Sequence, residues 1–273
     1  MENSNTNLID GRAIASKLFE DIKKRVETLT FQPLLCDVVV GNDPVSISYV
    51  KIKGKRAMEC GMEFSLVQFP ETATEDDVIN AIRGEQIKSN LCGLIVQLPL
   101  PSHLNSETIL RTIDARIDVD GINPESTHVL VPPTAGAIMH LLDSLEVDLS
   151  EQKFVVLGKG DLVGKPVAVE LQKRNYDFTT VLADTENRAE ILKSANVIIS
   201  GVGKAGILTG EDVSNDIIVI DAGTSEQGGS IAGDVDFETV SIKAKYITPS
   251  PGGVGPVTVA KLLENVLIVA EQK

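Results

Sequence analysis

The chain has 273 residues, 42% of them hydrophobic, enough to build two α/β domains with cores of their own. Its formal net charge of -14 and pI near 4.7 exclude a nucleic-acid surface, which needs a basic patch against phosphate. No segment reaches the roughly 20 apolar residues of a membrane span, and the polar start has neither a basic nor an apolar block. A cytoplasmic protein aimed at a small molecule, with no membrane association, is therefore expected.

Asp10 stands where it can cap a helix whose Ile14, Leu18, Ile22, Val26 and Leu29 recur at helical spacing. The pattern then predicts a strand over 34–40, a helix over 46–60 and a strand over 63–69. A helix opened by the Thr74-x-x-Asp77 capping pattern and a strand over 93–98 follow. Repeated β-α units imply a largely parallel sheet with helices on both faces. The pattern loosens through Pro99, Pro101 and 118–133, and a helix over 135–145 leads into the second half. That half restarts with a strand over 154–157, a glycine turn, a helix over 165–173, a strand over 178–183 and a short helix. Strands at 197–200 and 217–220 complete a small doubly wound unit. The last helix, predicted over 258–271, is apolar on more than one side and is expected to pack back on the first domain. The expected division is 1–133 plus 257–273 for one domain and 134–256 for the other.

Cys36, Cys60 and Cys92 are odd in number, far apart and set in or beside apolar segments, so they read as reduced core thiols. His103, His128 and His140 have no ligand spacing, and no metal is expected. The run 248–258 holds three glycines and three prolines immediately before an apolar helix. Its backbone shape is dictated while side chains are kept away, which suits a flat ligand; alternatively it is a helix lead-in with Thr258 as a cap.

Gly158-Lys159-Gly160-Asp161-Leu162-Val163-Gly164 lies between a predicted strand and a helix, where glycines let backbone approach a pyrophosphate. Asp184, after the next strand, can accept hydrogen bonds from a ribose and repel a 2'-phosphate, which favours NAD. Lys159 and Arg188 could instead hold that phosphate, which favours NADP. Tyr49 and Lys53, four apart on a predicted helix, can form a phenol-ammonium pair able to move a proton if burial or Lys51 and Lys55 depress the lysine. Gln97-Leu98-Pro99 follows a strand at its carboxyl end, and Asp118-Val119-Asp120-Gly121 places two acids ahead of a turn.

Tyr49-Val50-x-x-Lys53, Val96-Gln97-Leu98-Pro99-Leu100-Pro101, Asp118-Val119-Asp120-Gly121, the turn 158–166, Gly233-Asp234-Val235-Asp236-Phe237 and the run 249–258 occur in one order. That order resembles the bifunctional methylenetetrahydrofolate dehydrogenase/methenyltetrahydrofolate cyclohydrolase family over nearly the whole chain. The resemblance implies an N-terminal α/β folate domain and a Rossmann-like dinucleotide-binding domain flanking a cleft, in a homodimer that takes tetrahydrofolate derivatives and NADP or NAD. It assigns catalysis to Lys53, Tyr49, Gln97 and Asp120. Substrate binding falls to Tyr49, Gln97, Leu98, Pro99, Asp120, Pro251, Gly252 and Gly253. Cofactor contacts fall to Gly158, Lys159, Gly160, Asp161, Val163, Gly164, Asp184, Gly201, Gly203, Asp221 and Gly223.

The chain departs from the family pattern along the cofactor side. Gly158-Lys159-Gly160 stands for the usual Gly-Arg-Ser, Leu182-Ala183-Asp184 for Cys-His-Ser, Pro132-Pro133-Thr134-Ala135 for Pro-Cys-Thr-Pro and Asp221-Ala222-Gly223-Thr224 for Asp-Val-Gly-Ile-Asn. The first two changes point toward NAD or toward weaker discrimination between the two dinucleotides. A cyclohydrolase with a degraded dehydrogenase step and a non-catalytic folate or dinucleotide binder are the alternatives. A short-chain dehydrogenase is excluded by order, because there the glycine turn precedes the Tyr-x-x-x-Lys pair.

Overall fold

The computed structural model describes residues 7–123, 130–227 and 230–273. Its elements are β1 (Asn7–Leu8), α1 (Gly11–Val26), β2 (Leu34–Val40), α2 (Pro44–Glu59), β3 (Glu63–Phe69), α3 (Glu75–Gln86), β4 (Leu91–Val96), α4 (Ser106–Leu110) and α5 (Pro133–Asp143). They continue as β5 (Lys153–Leu157), α6 (Gly164–Lys173), β6 (Asp177–Val181), α7 (Arg188–Ser194), β7 (Val197–Ser200), β8 (Ile217–Asp221), β9 (Ser225–Gln227), β10 (Ser230–Ala232), α8 (Phe237–Ser241), β11 (Ala244–Ile247) and α9 (Val254–Ala270). Two compact units result. The first holds Ser16–Pro133 and Val259–Lys273, the second Met1–Ala15 and Thr134–Thr258.

In the first unit β2 lies between β3 and β4 in a parallel sheet. Every residue of β2 and β4 is buried, as expected of strands covered on both faces, whereas edge strand β3 is partly open. On one face Ile22 and Val26 of α1, Ala57 of α2 and Leu262, Leu263, Val266 and Leu267 of α9 enclose Leu35 and Ile95. On the other, Ile79 and Ile82 of α3 pack on Cys36, Val38 and Leu94. The returning α9 therefore completes this core and makes the unit discontinuous. Asn265 of that helix fixes its seat by donating to the carbonyls of Val119 and Val131, each at 2.9 Å.

Local chemistry sets the helix starts. Asp10 Oδ1 accepts the N–H groups of Arg12 and Ala13, and Asp43 accepts that of Ser46 with Pro44 in the first turn of α2. Thr74 and Asp77 form a reciprocal capping box. Helix α9 begins four residues ahead of its predicted start, so Thr258 is no cap; its hydroxyl donates to Val254 O at 3.1 Å inside the helix.

The second unit is a parallel sheet in the order β1-β11-β8-β7-β5-β6, with an antiparallel β9-β10 hairpin beside it in sequence. From β5 the chain goes to β6 on one side and then to β7 on the other, creating a switch point at the carboxyl end of β5. Asn7 and Leu8 pair with Tyr246 and Ile247, so the described residues 7–10 join this unit, whereas the sequence places them in the expected first domain. A two-residue strand has no periodicity to betray its partner. Strand β6 ends at Val181, short of its predicted end, because Leu182 turns to donate its N–H to Thr185 Oγ1 at 2.7 Å.

Candidate active site

Helix α2 carries Lys53 into the first unit, and its approach is close. A Cβ on the adjacent Gly54 would stand 2.5 Å from the Phe64 ring on β3, so glycine is required for this seating. Lys53 is 2% exposed in a helix whose Lys51 and Lys55 reach solvent. Its Nζ donates to Gln97 Oε1 at 2.9 Å and lies 5.2 Å from the centroid of the Tyr49 ring. Gln97 is oriented in turn by its own Nε2, which donates to Leu98 O at 2.7 Å, and by its backbone N–H on Val38 O. The predicted trio is thus assembled from α2 and the end of β4.

The charge beside Lys53 is of opposite sign to that expected from Lys51 and Lys55. Asp37, in the middle of β2 and fully buried, places Oδ2 at 2.6 Å from Nζ. Lys53 acts on this carboxyl both as a charge and as a hydrogen-bond donor, and Asp37 has no other hydrogen-bond partner among the described residues. Burial pushes the Asp37 carboxyl up and the Lys53 charge partly offsets it. Lys51 and Lys55 have no part in this, Lys55 lying 3.8 Å from Glu59 on the surface.

The two acids of Asp118-Val119-Asp120-Gly121 separate by role. Asp118 is 1% exposed and accepts the N–H groups of Gly121 and Asn123 at 3.1 and 2.8 Å, which shapes the turn. Asp120 feels the charges of Lys53 and Asp37; burial raises its carboxyl to about 6, opposed by Lys53 and reinforced by Asp118 and Asp37. The half-buried Tyr49 phenol is also raised, by burial first and then by Asp120 and Asp37, and stays protonated at neutral pH.

At the switch point of the second unit, Gly158 has φ +96°, a backbone that L side chains rarely adopt, and Lys159, Gly160 and Asp161 are exposed. Gly164 opens α6 so close to the turn that a Cβ would lie 2.3 Å from Gly158 O. Val163 stands at the N-cap without a side-chain cap, leaving the end of α6 open to an anion. A Cβ on Gly201 would strike Val163 at 2.3 Å. This cradle of small residues at a helix start fits a dinucleotide pyrophosphate. Asp184 is exposed beyond β6, while Arg188 is engaged elsewhere, donating to Ile207 O at 3.0 Å and lying 4.0 Å from Asp212.

Two buried acids hold the neighbouring loops. Asp234 Oδ2 accepts from Ser200 Oγ at 2.6 Å and Val202 N at 2.7 Å, and Oδ1 from Lys204 N at 2.8 Å, bracketing Gly201 and Gly203. Asp221 accepts the N–H groups of Gly223, Asp234 and Val235, and burial lifts its carboxyl to about 6 despite them. The glycines of the run 248–258 have a packing reason of their own. A Cβ on Gly11 would fall 1.8 Å from Gly253 O, and one on Gly253 would fall 2.6 Å from Thr248 Cβ. Pro251 and Gly255 are exposed.

Two family models divide the chain between them. Residues 9–120 match "Tetrahydrofolate dehydrogenase/cyclohydrolase, catalytic domain" and residues 132–273 match "Tetrahydrofolate dehydrogenase/cyclohydrolase, NAD(P)-binding domain". The chain belongs to the tetrahydrofolate dehydrogenase/cyclohydrolase family. It is 36% identical to the bifunctional protein FolD of Lactococcus lactis over 98% of both chains. Among solved structures it is similar to the bifunctional FolD of Campylobacter jejuni, with 34% identity, TM-score 0.94 and coverage of 98% and 99%. A FolD of Trypanosoma brucei complexed with NADP and an inhibitor is 32% identical, with TM-score 0.92 and 98% of each chain covered.

In this tetrahydrofolate dehydrogenase/cyclohydrolase two buried acids carry little signal in the sequence. Asp37 leaves one signal, a carboxylate inside the otherwise apolar 34–40 run, and Asp234 stands out only as part of the Gly233-Asp234-Val235-Asp236-Phe237 motif. Cys36, Cys60 and Cys92 are buried and free. His103 Nε2 lies 3.0 Å from Ala73 O, and His128 falls outside the described residues. Among the described residues no cluster of three or more His, Cys, Asp or Glu could hold a metal, and no helix is long and apolar enough to cross a membrane.

Proposed function

We propose that the chain oxidises 5,10-methylenetetrahydrofolate to 5,10-methenyltetrahydrofolate and then hydrolyses it to 10-formyltetrahydrofolate. The observation that carries this reading is a buried Lys53 held 2.9 Å from Gln97 and over the Tyr49 ring, in a chain matched by both domains of the family. A bound nicotinamide dinucleotide supplies the hydride acceptor for the first step. Gly158, Lys159, Gly160, Asp161, Val163 and Gly164 would hold its pyrophosphate, and Gly201, Gly203, Asp221 and Gly223 would shape the adjoining loops.

Oxidation demands alignment of the one-carbon bridge more than proton transfer. Asp120 is assigned to the N–H donors of the pterin, and Leu98, Pro99, Pro251, Gly252 and Gly253 to its faces. Hydrolysis demands a base and then an acid: water loses a proton as it attacks the methenyl carbon, and N5 gains one as the C–N5 bond breaks. Lys53, steadied by Gln97 and Tyr49, is assigned to both transfers.

NAD is our preferred dinucleotide. The exposed Asp184 supports a ribose contact, and the engagement of Arg188 with Ile207 and Asp212 counts against its holding a 2'-phosphate. Buried free thiols support a cytoplasmic location, and pairing of two copies follows from the family resemblance. The test follows reduced nicotinamide and acid-trapped methenyl product with NAD and NADP in parallel, and sedimentation reports the dimer. Hydrolysis of added methenyltetrahydrofolate with no oxidation by either dinucleotide would leave a cyclohydrolase alone and defeat the bifunctional assignment.

A further inference from the structure

We propose that Asp37 is a positioning residue that works through Lys53, the two forming a buried proton relay for the hydrolytic step. This inference rests on the cyclohydrolase reading above. Asp37 is fully buried, Lys53 is 2% exposed, and Nζ stands 2.6 Å from Oδ2. Strand β2 has seven buried residues, and Asp37 is its single polar member. Alternation along β2 puts Asp37 on the face of Leu35, which packs with Ala57 of α2, while Cys36 faces the α3 side. A fully buried carboxylate whose one partner among the described residues is a lysine is rare enough to call for a role.

The role follows from what the site must do. An ammonium at Nζ cannot accept a proton from water, and Lys53 is too enclosed to shed one readily to solvent. Asp37 removes that obstacle. One proton moves from Nζ to Asp37 Oδ2 and leaves a lone pair on nitrogen. Nζ then takes a proton from the water whose oxygen bonds to the methenyl carbon. When the C–N5 bond breaks and its electron pair stays on N5, Nζ returns a proton there. The second proton of the added water leaves the carbinol as the formyl C=O forms and passes to bulk solvent, while Asp37 gives its proton back to Nζ. Methenyl cation and water thus become 10-formyltetrahydrofolate and one released proton, and the pair ends as it began.

The charged and titratable groups felt by this pair are Tyr49 from α2 and Asp120 beyond β4, on which Asp118 acts in turn; Cys36 neighbours Asp37 along β2. Gln97 is neutral and accepts a hydrogen bond from Nζ. Because the relay keeps its one proton within the pair, hydrolysis by the wild-type chain is nearly independent of pH around neutrality. In Asp37→Asn the proton on Lys53 must go to solvent, so hydrolysis rises with pH over the same range.

The experiment measures hydrolysis of added methenyltetrahydrofolate and oxidation of methylenetetrahydrofolate on the same preparations of wild type, Asp37→Asn, Lys53→Met and the double variant. Asp37→Asn is expected to lower hydrolysis at least tenfold relative to oxidation and to introduce the rising pH limb. In the Lys53→Met background the second change is expected to lower hydrolysis no further. Proportional loss of both activities with an unchanged pH profile would overturn the relay and leave Asp37 structural. Should Asp37→Asn not fold, a proton inventory of wild-type hydrolysis in mixed light and heavy water decides: a curved plot is expected for two protons in motion, and a straight line overturns the proposal. Absence of wild-type hydrolysis would instead defeat the cyclohydrolase reading itself.

Discussion

Gln97 Oε1 accepts a hydrogen bond from Lys53 Nζ at 2.9 Å across 44 residues of sequence, joining the end of β4 to the middle of α2. A side-chain amide there fixes Nζ without adding charge. Gln97→Ala frees the lysine and is expected to lower hydrolysis about tenfold, while Lys53→Met lowers it by about 100-fold or more, the scale of a lost general acid-base group. The decay of methenyl absorbance reads both.

The Asp120 carboxyl is raised to about 6, by burial first. Above that pH the carboxylate can accept the pterin's N–H groups, and below it the acid is neutral and binds them more weakly. Folate affinity, measured by fluorescence titration, should therefore strengthen as pH rises through about 6, and Asp120→Asn should flatten the curve. The sign for stability is the reverse. A raised carboxyl favours the folded state below the ordinary carboxylate range, and that contribution is lost as pH rises through about 6.

Asp234 satisfies Ser200, Val202 and Lys204 from a fully buried position. Asp234→Ala leaves those donors without it and is expected to cost about 3–5 kcal/mol in urea unfolding, from several charge-assisted bonds lost together. Because the loop at Gly201 and Gly203 loosens, KM for the dinucleotide should rise more than KM for the folate. An equal rise in both would show that the loop does not serve the dinucleotide.

Gly11 lies against Gly253 with no room for a methyl group. Gly11→Ala must displace backbone, and overpacking of this kind costs about 2–3 kcal/mol. Thermal unfolding should show it. Gly255→Ala, with no atom within 4 Å of the added Cβ, is expected to leave the melting temperature within a few degrees, the spread of an uncrowded substitution.

Asp184→Ser removes the exposed carboxylate from the turn after β6. Charge repulsion toward a 2'-phosphate is lost, so the ratio of kcat/KM for NADP to that for NAD should rise about tenfold or more, equivalent to at least about 1.4 kcal/mol. An unchanged ratio would move the discrimination elsewhere, with Lys159 next to be replaced.

The alternation of elements was legible because periodicity is a local property. The spans of β2, β3 and β7 could be read directly, as could the caps at Asp10 and Thr74, because apolar runs and capping oxygens act over a few residues. The ordered motifs likewise named Lys53, Tyr49, Gln97 and Asp120 as one set. Tertiary structure decided which contacts complete the set. Only the register of β2 under α2 brings Asp37 to Lys53 and gives a lysine flanked by Lys51 and Lys55 an acidic partner. Only backbone pairing assigns Leu8 to β11, because two residues carry no pattern. Close approach explains Gly11 and Gly54, since one-dimensional spacing cannot tell a glycine kept for a ligand from one kept for a neighbouring backbone or ring.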